Sequence, residues 1–211
     1  MRRSQYLGGC FFASILADKI PIPASPELSN KEINFLLKDS EAREIITLET
    51  KNTYKGDYNL ISPEQLNSSI AKNKFYASKA TADEPAFMVY TSGTTSKPKG
   101  VLHAHRTILG RKLMKEGWEH YQPDDNVLHA GTLNWTFTLG VGLMDVWLAG
   151  GHSHLYNGSK EPKKWIEMIE KYQISIFVGV PTIYRQILKY VEISIGHLVF
   201  FGIYTNDPSL N

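Results

Sequence analysis

The sequence predicts an α/β fold of βαβ units around a parallel sheet, and three observations predict it. Short apolar runs rich in β-branched and aromatic residues alternate with stretches of helical period. Strands spaced by helices of roughly 10–15 residues indicate parallel pairing. One of these runs is continuous rather than apolar at every second position, as in a strand covered on both faces. The best of them, Phe87-Met88-Val89-Tyr90-Thr91, feeds directly into a glycine-bearing loop.

In chain order, residues 4–17 read as an amphipathic helix. In Ile20-Pro21-Ile22-Pro23 each proline biases its predecessor away from helix, so the segment is extended. Ser29 and Glu32 have the spacing of a capping box, with Ile33, Leu36 and Leu37 as the apolar stripe behind it. Arg43 to Thr47 reads as a short strand. Residues 49–84 are polar and are expected to form a surface connection, with one short helix opened by Ser62-Pro63-Glu64. Phe87–Thr91 is expected as a buried parallel strand, followed by strands at Val127–His129, Gly151–Tyr156 and Ile174–Val178. Helices are expected at about 105–118, 138–149, 161–172 and 181–190.

A length of 211 residues suits one large domain or two small ones. The formal charge of +2 is too balanced for a nucleic-acid-binding or polybasic membrane protein. Cys10 is the single cysteine, which excludes an intramolecular disulfide and makes a cytoplasmic location the expectation. No uncharged apolar run is long enough for a membrane span. The two arginines at the N-terminus imitate a signal peptide, but Asp18 and Lys19 interrupt the pattern and no small-residue cleavage site stands out.

The most informative stretch is Tyr90-Thr91-Ser92-Gly93-Thr94-Thr95-Ser96-Lys97-Pro98-Lys99-Gly100. Hydroxyls and backbone N–H groups in such a loop donate to phosphate oxygens, lysine adds a mobile charge, and glycine permits close approach. It is not a Walker A loop, because Lys99 precedes Gly100 and valine follows, and no G-x-G-x-x-G fingerprint exists. The alternative is a solvated Ser/Thr turn. A metal hydrolase is a second alternative. His103 with His105 and His152 with His154 are H-x-H pairs, and His129 could add a third ligand, though no carboxylate partners stand at a defined spacing.

The loop resembles the phosphate loop of the AMP-forming adenylate-forming superfamily, T-S-G-[ST]-T-G-x-P-K-G, with Ser96 where glycine is usual. Flanking segments are similar to that family in the same order: Ala24 to Ser29 and on to Thr47, Val101-Leu102-His103-Ala104-His105, Asn134-Trp135 through Gly151, and Phe177 to Arg185. The resemblance covers residues 4–190, which would be part of an AMP-binding N-terminal domain, an acyl-CoA synthetase-like large domain with partial parallel-sheet βαβ layers. Residues 191–211 resemble nothing expected there. The resemblance implies an ATP-dependent acid–thiol ligase that activates a carboxylic acid as an acyl-adenylate and transfers it to CoA, with Mg-ATP and CoA as co-substrates and no resident metal. It implies that Thr91, Ser92, Gly93, Thr94, Thr95 and Lys99 hold ATP phosphates, and that Trp135, Thr138 and Gly140 border the acyl and pantetheine pocket. For Trp135 the alternative is a core tryptophan, and for Pro181 and Arg185 a helix start with a surface arginine.

The family's later motifs, an adenine-contacting Tyr-Gly-x-[ST]-Glu with its magnesium glutamate, a ribose Thr-Gly-Asp and a catalytic lysine, do not occur in the 211 residues. The expectation is a ligase fragment that is inactive alone. The alternatives are a non-catalytic module or one half of a split ligase whose complement is a downstream polypeptide.

Overall fold

The computed structural model describes residues 2–25, 27–47, 54–62, 65, 78–91, 97–156, 158–189 and 199–202. The chain divides into two compact units, Met1–Thr107 and Ile108–Asn211.

In the first unit, α1 (Arg2–Leu16) buries Phe11 and Ile15, one turn apart on the same face. Phe11 packs edge-on against Phe87, ring centroids 5.5 Å apart. The extended Ile20–Pro23 segment lies beside the first long strand, with the Pro21 carbonyl accepting from the Met88 N–H at 3.1 Å. The capping box opens α2 (Asn30–Asp39): the Ser29 hydroxyl accepts from the Glu32 N–H, and the Glu32 carboxylate accepts from the Ser29 N–H at 2.8 Å. Strand β1 (Glu44–Ile46) pairs in parallel with β2 (Asn59–Ile61), a strand inside the stretch expected as a connection. Ser62 and Gln65 form a second reciprocal cap, while the rest of the helix expected there lies outside the described residues.

Strand β3 (Pro85–Thr91) buries Ala86, Phe87 and Val89 but is not parallel to its neighbour. It pairs antiparallel with β4 (Lys99–Ala104), which corrects the expected parallel pairing. A continuous apolar run reports coverage on both faces and carries no strand direction. The short connection from Ser92 to Pro98 fits a hairpin, whereas a parallel crossover needs about a dozen residues or more.

From the end of β4 the chain enters α3 (His105–Gly110), α4 (Lys112–Met114) and a wide π-helical turn (Lys115–Glu119). One continuous helix was expected over 105–118. Gly110 and Gly117, poor helix formers, fall where it breaks up. The second unit is built on a four-stranded parallel sheet of β5 (Asn126–His129), β6 (His152–Leu155), β7 (Ile176–Gly179) and β8 (Val199–Gly202), in the order β6-β5-β7-β8. Strand β8 falls in the segment that resembled nothing in the family; residues 191–198 and 203–211 lie outside the described residues.

Between β5 and β6 run α5 (Thr136–Leu139), a π-helical turn (Gly140–Met144) and α6 (Asp145–Ala149). Gly150, at φ 85°, ends α6 in the left-handed conformation that glycine adopts without a Cβ penalty. Helix α7 (Pro162–Lys171) connects β6 to β7, and α8 (Pro181–Leu188) follows β7. Each core cluster takes alternate residues of the same strands. Val127, Ile176 and Val178 pack with Tyr121, Val141 and Val146, while Leu128 and Phe177 pack with Trp165, Ile169 and Ile187. Both faces of β5 and β7 are therefore covered at these positions, while β6, His152–Leu155, carries polar side chains and is only partly buried. Among the described residues, no helix is long and apolar enough to cross a membrane.

Candidate functional site

Thr91 and Lys99, the expected phosphate contacts with described positions, face each other as the last cross-strand pair of the β3–β4 hairpin. Ser92, Gly93, Thr94 and Thr95 lie outside the described residues. The ladder beneath the pair is braced. Phe87 stacks on its cross-strand partner His103 with ring centroids 4.5 Å apart and planes within 5°. The Tyr90 hydroxyl donates to Asp39 Oδ2 at 2.8 Å, tying the end of β3 to the last residue of α2. Burial, reinforced by Asp39, pushes the Tyr90 phenol up to about 12, so it stays a donor at neutral pH. The hairpin therefore holds a hydroxyl and an ammonium together at the mouth of the loop, a donor set suited to an oxyanion.

The second unit has a crevice position of its own. The chain leaves β5 toward β6 on one side and leaves β7 toward β8 on the other, so the order reverses between β5 and β7. In open α/β sheets, ligands bind outside the carboxyl ends of strands at such a switch point. Here those ends carry His129, Ala130 and Gly131 on β5 and Gly179, Val180 and Pro181 on β7, joined by the Ala130 N–H to the Val178 carbonyl at 2.8 Å.

His129 is 2% exposed, and burial pushes its imidazole down to about 3, so it is neutral. The Gly131 N–H donates to its Nδ1 at 2.9 Å, which leaves the ring proton on Nε2. The ring packs edge-on against Phe137 at 5.0 Å, and Phe137 in turn against Trp135 at 5.7 Å. Trp135 is 44% exposed and so is not a core tryptophan, whereas Thr138 is fully buried. A Cβ on Gly131 would run into Thr138 Oγ1 and come within 3.1 Å of His129 Cε1, so hydroxyl and imidazole flank one point. A Cβ on Gly142 would come within 2.7 Å of His129 Cβ, so glycine in the π-helical turn lets the helix close over the ring.

Gly140 faces inward: a Cβ there would collide with the guanidinium of Arg111. Arg111 binds Asp145 through both Nε, at 2.7 Å to Oδ1, and Nη2. Glu119 is buried beside this pair. Burial first, then the neighbouring Asp145, pushes its carboxyl up to about 9, so Glu119 holds its proton at neutral pH. The Tyr121 hydroxyl donates to the Val141 carbonyl at 3.2 Å on the same π-helical turn.

The end of β7 is held by Tyr184, whose hydroxyl donates to the Phe177 carbonyl at 2.9 Å and accepts from the Gly179 N–H at 3.0 Å. Pro181 occupies the first turn of α8, and Arg185 is exposed. One member of each histidine pair is engaged elsewhere, His103 by stacking on Phe87. His154 Nε2 lies 3.0 Å from Asn126 Oδ1, and among the described residues no three His, Cys, Asp or Glu side chains gather as a metal site.

The family model described as "AMP-binding enzyme" matches residues 5–201. The chain belongs to this family. The match runs past Tyr190 and takes in most of β8. Among curated relatives, the uncharacterized acyl–CoA ligase YtcI of Bacillus subtilis strain 168 is 26% identical over 199 residues, covering 85% of this chain and 37% of that protein. The malonate–CoA ligase of Arabidopsis thaliana is 30% identical over 183 residues, covering 78% and 30%. A benzoate CoA ligase of Burkholderia xenovorans LB400 matches in structure with a TM-score of 0.75 at 23% identity, covering 84% of this chain and 38% of that one. The chain thus spans well under half the length of these relatives.

For a member of the AMP-binding family, the sequence motifs marked Thr91 and Lys99, which pair across the hairpin, and the exposed Trp135. Arg111, Asp145 and Glu119 were not singled out, and His129 was named only as a metal ligand in the alternative reading. The signal that could have found His129 is its place at the carboxyl end of a buried strand, one residue before the chain reverses.

Proposed function

We propose that this chain contributes the phosphate hairpin and the acyl side of an ATP-dependent, AMP-forming acid–thiol ligase. In that reaction a carboxylate attacks the α-phosphate of Mg-ATP to give an acyl-adenylate and pyrophosphate, and CoA then displaces AMP. The observation that carries the reading is the Thr91–Lys99 pair closing a braced hairpin under the loop Thr91 to Gly100. Thr91, Ser92, Gly93, Thr94, Thr95 and Lys99 would hold the departing phosphates. Catalysis would rest on positioning and charge stabilisation, with no covalent protein intermediate. Trp135 and Thr138 would border the acyl group, while Gly140 would act from beneath through its contact with Arg111. Magnesium would arrive with the nucleotide, and no step is assigned to a metal bound by the described residues.

The chain would not complete the reaction alone, because the sequence contains no ribose Thr-Gly-Asp and no magnesium glutamate motif. Carboxylate-dependent ATP–pyrophosphate exchange by the purified chain is expected to be absent. It is expected to appear on adding a polypeptide that carries the missing motifs, and to fall at least about tenfold with Lys99→Ala. Exchange by the chain alone would remove the fragment reading. No exchange in the mixture would remove the split-ligase reading.

A further inference from the structure

The acyl end contains polar atoms that the fold leaves unused. Among the described residues, His129 Nε2, Thr138 Oγ1 and Asn134 Oδ1 have no hydrogen-bond partner. His129 is 2% exposed and Thr138 fully buried, and a buried polar group without a partner costs stability. Such groups call for an explanation, and a ligand atom that pairs with them is one. Three features say what that ligand is. The rings of Trp135, Phe137 and His129 form an edge-to-face ladder, with interplanar angles of 61° and 70°, running from an exposed residue to a buried one. A planar ring suits such faces and edges. At the inner end stand an N–H donor on His129 and a hydroxyl on Thr138 that can donate or accept. Among the described residues, the guanidinium of Arg111, which packs under Gly140 of the neighbouring π-helical turn, is already bound by Asp145. A second carboxylate placed there would therefore be buried without a counter-charge.

We infer that this site selects an aromatic carboxylic acid bearing a neutral hydroxyl, which His129 Nε2–H and the Thr138 hydroxyl recognise, over the unsubstituted acid and over a dicarboxylate. The inference rests on the reading of the chain as the acyl side of an acid-activating ligase. Thr138 and His129 are then specificity-determining rather than catalytic residues.

The test is titration of the full chain, at low concentration, with 3-hydroxybenzoate, benzoate and isophthalate, read by tryptophan fluorescence. The hydroxy acid is expected to bind about tenfold tighter than benzoate, and isophthalate more weakly than both. Thr138→Val should reduce the preference to less than about twofold without lowering the thermal midpoint, because an apolar group of the same shape replaces a partnerless hydroxyl. His129→Phe should also lose the preference, and the proton on His129 Nε2 should be visible by nitrogen-15 NMR in the wild-type chain. Equal binding of the hydroxy acid and benzoate overturns the inference and leaves the ligase reading standing. So does a Thr138→Val chain that loses stability but keeps its preference. If none of the acids binds, both the inference and the acyl-site assignment fall.

Discussion

Tyr184 shows how a motif residue can work for the backbone rather than the chemistry. Its hydroxyl bonds one backbone donor and one backbone acceptor near the end of β7. Tyr184→Phe removes both of these hydrogen bonds and is expected to cost about 1–3 kcal/mol in urea unfolding. An unchanged midpoint would show that water replaces the hydroxyl. Glu119 and His129 make opposite demands on pH. In the folded chain the Glu119 carboxyl keeps its proton up to about 9, against an ordinary value of 4.5. Over that window the unfolded state binds fewer protons, so stability falls as pH rises. His129 titrates at about 3 when folded, against 6.5, so stability falls as pH drops through that window. The two slopes oppose each other where the windows overlap, and the urea midpoint is expected to peak at mildly acidic pH. Glu119→Gln should flatten the alkaline limb and spare the acid limb; an unaltered alkaline limb would assign that loss to another group.

At the scale of elements, the clearest features in the sequence were those that depend on near neighbours. The Ser29–Glu32 box formed at the expected register, and Ser29→Ala is expected to lower stability by about 1 kcal/mol, read as a shift in thermal midpoint. The parallel strands β5, β6 and β7 fell within two residues of their expected bounds, separated as they are by helical segments close to the expected lengths. Less legible were features set by distant partners. Strand β2 is three residues long and exists through pairing with β1. The π-helical turn at Gly140–Met144 follows from what packs beneath it, Arg111 under Gly140 and His129 under Gly142, and helical periodicity contains neither fact. The candidate site divided the same way. Loop chemistry named Thr91 and Lys99, whereas the burial of His129 and the pairing of Arg111 with Asp145 come only with the fold.

For the whole molecule, exposed apolar side chains decide its behaviour in solution. Leu109 is 70% and Leu113 71% exposed, one turn apart along the chain, and Leu60 and Leu188 are exposed as well. Contiguous exposed apolar surface favours association. Light scattering by the purified chain is expected to rise with concentration, and the double substitution Leu109→Lys, Leu113→Lys should suppress it. A monodisperse wild-type chain across that range would count against this expectation.

The order β6-β5-β7-β8 places the first strand of the sheet to be synthesised at an interior position. Each later strand then adds to an edge already present, β6 on one side of β5, β7 on the other and β8 outside β7. A chain emerging from the ribosome never has to part a finished ladder to admit a newcomer, and the sheet can grow outward from Val127–His129 at the pace of translation.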